Sequence, residues 1–315
     1  MENSNQTLVR KFILLGLSNV PWLQVVFFLL FLFMYMVTIS GNFLLIVVVS
    51  RNSRLQNPMY FFLSNLSIID ICFSTTVVPK ILQNTISQDR SISFLGCAAQ
   101  MFFHLFLGAT ECLILSAMAF DRYNAICKPL LYTTIMDQKL CLCLSATCWI
   151  SSFLSCFTHA IFTFRLPFCK SNFINHFFCE MLPLFRLSCK DTWVNEFAVY
   201  LCGGVFGLLS FILTCLSYYL ILSTIIRIRS TEGRHKAFST CASHLIVVTL
   251  YYGTIIFMYL RPRSSYSPVR DRAVSILYTV VTPMLNPIIY SVRNKDVKES
   301  IQKAISVGCT KKYLN

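Results

Sequence analysis

The stretch Met-Ala-Phe-Asp-Arg-Tyr-Asn-Ala-Ile-Cys, residues 118–127, places an Asp-Arg-Tyr triplet at the end of a long apolar segment. An ion pair between Asp121 and Arg122 can hold the end of a membrane helix closed, and a released Arg122 can contact another protein. The alternative is an ordinary ion pair at a membrane edge. The choice between the two interpretations depends on how many other apolar segments surround the triplet.

The composition is that of a membrane protein. The chain has 315 residues, of which 56% are hydrophobic and 13% are charged, whereas soluble domains carry about 25% charged residues. One water-soluble core cannot bury so much apolar surface. The charges lie in short clusters, and the gaps between them reach the roughly 20 apolar residues that span a bilayer.

Seven such gaps occur along the chain. They cover residues 12–50, 55–79, 91–120, 140–164, 197–226, 237–260 and 273–292. Two acids interrupt them, Asp70 in the second gap and Glu111 in the third. Strands of membrane barrels are shorter, about 10 residues, and alternate in polarity. We therefore predict an all-α membrane protein, a seven-transmembrane helix bundle with a short amphipathic C-terminal surface helix.

The predicted bundle makes one domain of residues 1–315. Its expected parts are an outer N-terminus at 1–21, the bundle at about 22–293 and an inner tail at 294–315. In the tail, Val297, Ile301 and Ile305 recur every four residues between charges, which is typical of a helix lying on a membrane surface. Cys309 beyond them is a candidate for acylation.

The orientation follows from features other than charge. The net charge of +14 comes from Lys and Arg in the loops, which indicates contact with anionic lipid rather than nucleic acid. Because the bias between the two sides is weak, it does not decide the orientation. Asn5-Gln6-Thr7 is a glycosylation sequon, so Asn5 predicts an outer N-terminus and a cytoplasmic C-terminus.

Four cysteines lie on the predicted outer side. Cys169, Cys179 and Cys189 are in the loop between the fourth and fifth spans, and Cys97 is at the start of the third. An oxidising environment would join them in two disulfides. Their spacing alone leaves three pairings open.

Asp70 and Glu111 are acids at membrane depth, where ionisable groups usually face a bundle interior. They are candidates to share a proton, or to hold Na⁺ with Asn42, Ser116 or Asn286. The alternative is a hydrogen-bonded network without an ion.

His104 precedes Glu111 by two helical turns and points to a similar face. It is a candidate ligand contact, although a packed and hydrogen-bonded histidine is the ordinary alternative. His104 and the cysteines near it do not have a metal-binding spacing, so we expect no metal.

Pro287 removes one backbone hydrogen bond from the seventh span and kinks it. We expect Asn286 to satisfy the freed backbone and Tyr290 to lie one turn below. The inner ends of the fifth and sixth spans are basic, which favours contact with lipid headgroups or with the C-terminus of a partner's helix. These basic residues are Arg227, Arg229, Arg234, His235 and Lys236.

Several motifs along the chain carry a family resemblance. They are Gly41-Asn42, LQNPMYFFLSNLS at 55–67, MAFDRYNAIC at 118–127, Ser217-Tyr218, KAFSTCASHL at 236–245 and PMLNPIIYSVRNKDVK at 283–298. Together they resemble the rhodopsin-like G-protein-coupled receptors and, much more closely, the tetrapod-type olfactory (odorant) receptors. The resemblance covers nearly the whole chain. The chain departs from the family pattern at Gln56-Asn57, Phe120 and Asn124, near the inner face.

The resemblance implies roles for individual residues. The disulfides would be Cys97–Cys179 and Cys169–Cys189, and Asn42, Asp70 and Glu111 would form a polar site in the membrane. An odorant cavity would be lined by His104, Leu105, Gly108, Cys112, Cys202, Phe206, Ile255, Ile256, Tyr259, Ile276 and Thr279. The residues that rearrange on activation would be Asp121, Arg122, Tyr123, Tyr218, Tyr252, Asn286, Pro287 and Tyr290. Tyr252 would form the floor of the cavity.

The predicted function is odorant reception at the plasma membrane. An apolar cavity with a few polar anchors suits a small molecule, and His104 stands where amine receptors carry an aspartate. We therefore predict a small, volatile, largely apolar ligand. Its binding would activate a stimulatory olfactory heterotrimeric G protein and raise cyclic AMP. A trafficking accessory protein is a further candidate partner, and no cofactor is expected apart from Na⁺.

Other functions compete with this one. A non-olfactory chemosensory receptor would have the same fold. A transporter or channel is supported by Asp70 and Glu111, but we find no internal repeat. An enzyme is opposed by the lack of HExxH and GxSxG motifs, and we interpret His244 as packing at the inner face. The outer segment with Arg261, Arg263, Arg270 and Arg272 around Asp271 would favour acidic odorants.

Overall fold

The apolar segments form long helices in the computed structural model, which describes residues 10–18, 20–87, 89–169, 171–259, 268–293, 297 and 300. The elements in chain order are β1 (Lys11–Leu14), α1 (Pro21–Arg51), a 3₁₀ turn (Ser53–Leu55), α2 (Pro58–Ile86), β2 (Ser91–Ser93), α3 (Phe94–Cys127), α4 (Tyr132–Ile135), α5 (Gln138–Phe164), β3 (Phe173–Ile174), α6 (Met181–Phe185), α7 (Trp193–Arg227), α8 (Thr231–Tyr259), α9 (Pro268–Ile276), a π-helical turn (Leu277–Val281) and α10 (Thr282–Arg293).

Six stretches of the described chain are each long and apolar enough to cross a membrane: α1, α2, α3, α5, α7 and Val269–Ser291, which joins α9 to α10. The sixth predicted span is α8, which bends by 41° between Thr231–Ser239 and Cys241–Phe257 and adds a seventh crossing when its two parts are counted together. This confirms the predicted seven-helix bundle.

Several helices begin where the sequence supplies a cap. Pro21 and Pro58 occupy first-turn positions, where the missing N–H costs nothing. The Ser93 hydroxyl accepts a hydrogen bond from the Gly96 amide at 3.0 Å and starts α3, and the Asp137 carboxylate accepts one from the Leu140 amide at 2.8 Å and starts α5. The helix starts are therefore encoded locally.

Helices α2 and α3 form the centre of the bundle. Of their most apolar stretches, 56% of the residues are buried, against 17% in α1 and 22% in α7. The protein can cover only part of α1 and α7, so their remaining apolar side chains face the surroundings. This is the pattern expected when lipid replaces water as the solvent.

A small sheet joins the loops on one face of the bundle, which we call the N-terminal face. Strand β1 pairs antiparallel with β2, with Lys11 opposite Ser93, and parallel with β3, with Ile13 opposite Phe173. The sequence had predicted an all-α protein whose bundle begins at about residue 22, and it did not predict these strands. The first helix begins at Pro21, and the apolar residues 12–14 before it pair their backbone with two loops.

Side chains from distant loops reinforce the N-terminal face. Gly16 has a positive φ of 72°, a conformation that glycine adopts without strain, and turns the chain after β1. Arg272 at the start of the last span donates to the Gly16 carbonyl at 2.8 Å and to Asn175 Oδ1 at 3.1 Å. Arg272 therefore joins the last span to two loops. Its predicted attraction of acidic odorants stays a prediction. Arg261 and Arg263 lie outside the described residues.

Two disulfides complete this face. Cys97 at the start of α3 is joined to Cys179, with Cα atoms 5.4 Å apart, and Cys169 is joined to Cys189 at 5.8 Å. Gln100 Oε1 also accepts a hydrogen bond from the Cys179 amide at 2.9 Å. The loop between α5 and α7 is thus held against the top of α3.

After Arg293, the structure describes two residues of the tail, Val297 and Ser300. Val297 is helical and fully buried against the bundle core. Asn52 Nδ2, in the turn that follows α1, donates to the Ser300 hydroxyl at 2.7 Å. Ile301, Ile305 and Cys309, and Asn5 at the other end of the chain, lie outside the described residues.

Candidate ligand and activation sites

His104 lies on the inward face of α3 among aromatic rings. It is 5% exposed, and its ring centroid is 5.0 Å from Phe73, 4.7 Å from Phe178 and 5.7 Å from Tyr278. Its Nε2 atom has no hydrogen-bond partner among the described residues. The structure therefore places this polar atom where the sequence predicted a ligand contact, between α2, α3, the loop that joins α5 to α7 and the last span.

A polar cluster lies two turns deeper, where α3, α7 and α8 meet. The Cys112 thiol is 2.8 Å from the Ser210 hydroxyl, and the Tyr252 hydroxyl donates to Ser210 at 3.0 Å. All three residues are buried. Sequence reasoning singled out Cys112 and Tyr252 but missed Ser210, whose only local signal is a hydroxyl in an apolar span.

Other residues predicted to line the cavity differ in their surroundings. The carbonyl of Gly108 in α3 accepts a hydrogen bond from the Tyr251 hydroxyl of α8 at 2.5 Å. Thr279 is fully buried in the π-helical turn, but its hydroxyl donates to the Ser275 carbonyl of its own helix at 2.6 Å. Tyr251 was not singled out from the sequence.

The remaining predicted lining residues do not all face inward. Ile255 is partly buried against the bundle core, whereas Ile256 is 40% exposed. Helix α8 therefore turns Ile255 toward the bundle core and leaves Ile256 more exposed, and the role of Ile256 in the lining stays a prediction. Leu105, Phe206 and Ile276 are partly buried. The side chains of Cys202 and Tyr259 lie outside the described part of the chain.

A second polar network links α1, α2 and α10. Asn286 Nδ2 donates to both oxygens of Asp70, at 3.1 and 3.0 Å. The prediction that Asn286 satisfies the backbone freed by Pro287 is wrong. Asn42 Nδ2 donates to the Pro283 carbonyl at 3.1 Å, the group that Pro287 leaves without its helical donor.

Helices α1 and α10 lie close enough for Asn42, rather than Asn286, to reach the Pro283 carbonyl. A Cβ atom on Gly41 would lie 3.1 Å from Pro287 Cγ, so a larger residue would push the helices apart. Asn42 follows Gly41 and is fully buried. Glycine therefore brings the asparagine of α1 within reach of the kinked helix.

Several buried oxygens near this network have no hydrogen-bond partner in the described part of the chain. They are Asn42 Oδ1, Ser74 Oγ, Glu111 Oε1, Asn286 Oδ1 and the Tyr290 hydroxyl. No described hydrogen bond joins Asp70 to Glu111. The described residues include no group of three or more His, Cys, Asp or Glu suited to a metal ion.

The Asp-Arg-Tyr triplet lies at the opposite face of the bundle. Arg122 donates to Asp121 Oδ2 through Nε at 3.0 Å and Nη2 at 2.5 Å, and both residues are buried. The Tyr132 hydroxyl of α4 donates to Asp121 Oδ1 at 2.8 Å. Burial and the negative charge of Asp121 raise the pKa of Tyr132, which keeps this donor protonated.

Tyr218 and His244 connect α7 to α8 on the same side. The Tyr218 hydroxyl is 2.6 Å from His244 Nδ1, and both residues are buried. The interpretation of His244 as packing missed this bond, which a histidine in an apolar span could have suggested. Tyr123 packs against the apolar cluster that contains Tyr218. The Lys128 ammonium lies over the Tyr123 ring, 5.5 Å from its centroid.

The Tyr218→Phe substitution is expected to destabilise the protein. It leaves His244 Nδ1 buried without this partner, which costs about 1–3 kcal/mol of unfolding free energy. Thermal unfolding of the purified protein measures the loss. Tyr219→Phe is the matched control, because Tyr219 is 68% exposed. Equal unfolding temperatures for the two variants would show that the bond contributes nothing.

Comparisons with known proteins agree with this architecture. A family model described as olfactory receptor matches residues 31–307. Olfactory receptor 5G3 of Homo sapiens is 50% identical over 305 residues, which cover 97% of each chain. Olfactory receptor 5AP2 of Mus musculus is 51% identical over 307 residues, 97% of this chain and 96% of that one. The olfactory receptor-like protein OLF1 of Canis lupus familiaris is 48% identical over 303 residues, 96% of this chain and 97% of that one.

The helix bundle and these matches define a multi-pass plasma-membrane receptor of the G-protein-coupled class, which is not an enzyme. Within that class, the chain belongs to the olfactory receptor family.

Proposed function

We propose that the receptor binds a small, volatile, largely apolar odorant inside the bundle and activates a stimulatory olfactory heterotrimeric G protein, raising cyclic AMP. The Cys112–Ser210–Tyr252 cluster carries this proposal. It joins α3, α7 and α8 by short polar contacts at 2.8 and 3.0 Å, within apolar surroundings. A ligand that changes these contacts changes the packing of three helices at once.

The chemistry of the site favours an uncharged ligand. His104 stands among Phe73, Phe178 and Tyr278 and offers no negative charge to an amine. The Nε2 atom of His104, which has no hydrogen-bond partner among the described residues, is suited to one hydrogen bond, whereas the Ser210 hydroxyl already donates to the Gly207 carbonyl at 3.0 Å. The expected odorant therefore has an apolar body and one hydroxyl or carbonyl group.

The signal would pass along α8. Tyr252 is the member of the cluster on α8, the helix bends by 41° below it, and His244 of α8 bonds to Tyr218 of α7. An odorant that prefers one arrangement of α8 shifts the population by its difference in affinity for the two states. Release of Arg122 from Asp121 would then open a surface for the G protein.

The proposed orientation places the N-terminal face outside the cell, which exposes Asn5 to glycosylation and the two disulfides to an oxidising environment. The opposite face, with Arg122 and the exposed Arg227, Arg229 and Arg234, would face the cytoplasm. These basic groups suit anionic lipid as well as the G protein. A trafficking accessory protein would assist delivery to the plasma membrane.

We also propose that Na⁺ binds near Asp70 and Glu111. The unpartnered oxygens of Asn42, Glu111 and Asn286 fit such an ion, because Na⁺ prefers oxygen donors and a buried carboxylate is stabilised by positive charge. Bound Na⁺ would supply that charge between α1, α2, α3 and α10. The Asp70–Asn286 hydrogen bonds would orient the carboxylate toward it.

The test is cyclic AMP in cells that display the receptor, challenged with a panel of alcohols, ketones, acids and amines. We expect the alcohols or ketones to act, and Ser210→Val to raise their half-maximal concentration about tenfold, because it removes the acceptor of the Tyr252 hydroxyl across two helices and one hydrogen bond contributes roughly 1.4 kcal/mol. Ser151→Ala is the control, because Ser151 bonds its own helix at the Thr147 carbonyl. Equal potency in Ser210→Val and wild type would remove the cluster from the ligand site.

A panel that raises no cyclic AMP in cells with surface receptor would contradict this coupling. An ion current through the receptor would favour the transporter or channel alternative. Responses confined to compounds that are not volatile would favour the non-olfactory chemosensory receptor.

A further inference from the structure

A narrow cavity lies at the N-terminal face, between the segment after β1 and the adjacent ends of α1 and α2. Its volume is about 10 Å³, close to the smallest that holds one water-sized group, and the empty space together with its opening to solvent is about 320 Å³. None of its lining residues belongs to the predicted odorant cavity. It is therefore a separate feature of the receptor.

Asn84 of α2 lines this cavity with a buried side chain. The residue is 6% exposed, and neither Oδ1 nor Nδ2 makes a hydrogen bond to any residue that the structure describes. Buried amide groups are nearly always hydrogen-bonded. Asn84 thus presents one unused acceptor and one unused donor group to the cavity.

Other polar groups around the cavity are bonded to the protein itself. Arg90 Nη1 donates to the Leu15 carbonyl at 3.0 Å, Gln24 Nε2 to the Ser18 carbonyl at 3.1 Å and the Thr85 hydroxyl to the Leu82 carbonyl at 2.8 Å. These bonds hold the walls in place. The hydrogen-bonding capacity offered to a ligand is therefore concentrated on Asn84.

We propose that this cavity is an accessory binding site for an aliphatic alcohol, with its hydroxyl hydrogen-bonded to Asn84. A hydroxyl both donates and accepts, so it satisfies Oδ1 and Nδ2 together. A carboxylate only accepts and an ammonium only donates, and each would leave one half of the amide unpaired. A hydroxyl group is also small enough for the enclosed part of the cavity, which holds about one water-sized group.

The apolar part of the lining suits the rest of such a molecule. Leu17, Phe27, Ile81 and Phe177 surround the cavity with hydrocarbon. An alkyl chain placed against them loses contact with water, which favours binding in proportion to the area buried. Because the enclosed space holds only a water-sized group, the hydroxyl would fill it and the alkyl chain would extend through the opening along these side chains.

Photolabelling of the full-length receptor in lipid nanodiscs tests this site. The probe is 1-hexanol with a diazirine on its alkyl chain, and the labelled peptides are located by mass spectrometry. We expect adducts within residues 17–27 or 81–90, removed by excess 1-hexanol but not by hexane. Asn84→Leu should lose most of this labelling, and Thr85→Val should keep it, because the Thr85 hydroxyl is bonded to its own helix.

The competition between the probe and 1-hexanol or hexane is measured on the wild-type receptor. It therefore does not require that the Asn84→Leu variant folds. Equal displacement by hexane, or equal labelling of a folded Asn84→Leu variant, would overturn the proposal by showing simple partition into apolar regions. Adducts confined to α3, α7 and α8 would also overturn it, since the alcohol would then occupy only the proposed odorant cavity. Labelling needs no signalling, so its result is independent of the cyclic AMP test.

Discussion

Replacing Arg122 by alanine is expected to abolish odorant-evoked cyclic AMP while the receptor still reaches the cell surface. Arg122 is 7% exposed and donates twice to Asp121, whose other oxygen accepts from Tyr132. Without the guanidinium, the group proposed to move toward the G protein is gone. The loss should be complete rather than a change in potency.

The substitution also leaves the Asp121 carboxylate buried without its cation, which typically costs about 3–5 kcal/mol. A misfolded variant would be silent for this reason alone. The double variant Asp121→Asn, Arg122→Gln removes both charges and avoids that cost, so it should fold and still fail to signal. Surface staining and cyclic AMP are measured on the same cells, with Lys128→Gln as the control. Signalling by the double variant would refute the role of Arg122.

Breaking the Cys97–Cys179 disulfide is expected to prevent the receptor from reaching the cell surface. Both cysteines are fully buried and are separated by 82 residues. Closing a loop of this length in the unfolded chain stabilises the native state by about 4–5 kcal/mol in the chain-entropy model. This is comparable to the total stability of many domains.

Cys97→Ser should therefore lose surface staining, and the purified variant should unfold at a much lower temperature. Cys169→Ser should have a smaller effect, because its pair closes only 20 residues. Cys143→Ser is the control, since Cys143 is a free and exposed cysteine. Normal surface expression of Cys97→Ser would show that Gln100 and the sheet hold the loop without the disulfide.

The sequence predicted the parts of this receptor that depend on local chemistry. Long charge-free segments must become helices in a bilayer, because the backbone has no other partner there. The motifs around Arg122 and Pro287 identified the family, which the comparisons confirm. The caps at Ser93 and Asp137 set helix starts by bonds within a few residues.

Hydrogen bonds between distant segments were harder to predict. The Pro283 carbonyl, which Pro287 leaves without its helical donor, accepts a hydrogen bond from Asn42 and not from Asn286. Asn42 and Pro283 are 241 residues apart. Ser210 has no distinctive local pattern, and the motif that contains His244 does not identify its partner, yet these residues bond Tyr252 and Tyr218 across helices. Such pairings require helix rotation and closeness, which a single segment does not encode.

The sequence by itself thus determined the class of fold, the family and the residues that carry charge into the membrane. The tertiary structure alone decided which polar atoms meet. It placed β1 in a sheet with two loops, turned Ile255 rather than Ile256 toward the core and left the Asn84 amide without a hydrogen bond to the described residues. The physical reason is that apolar periodicity and backbone bonding act locally, whereas side-chain pairing depends on how neighbouring helices pack.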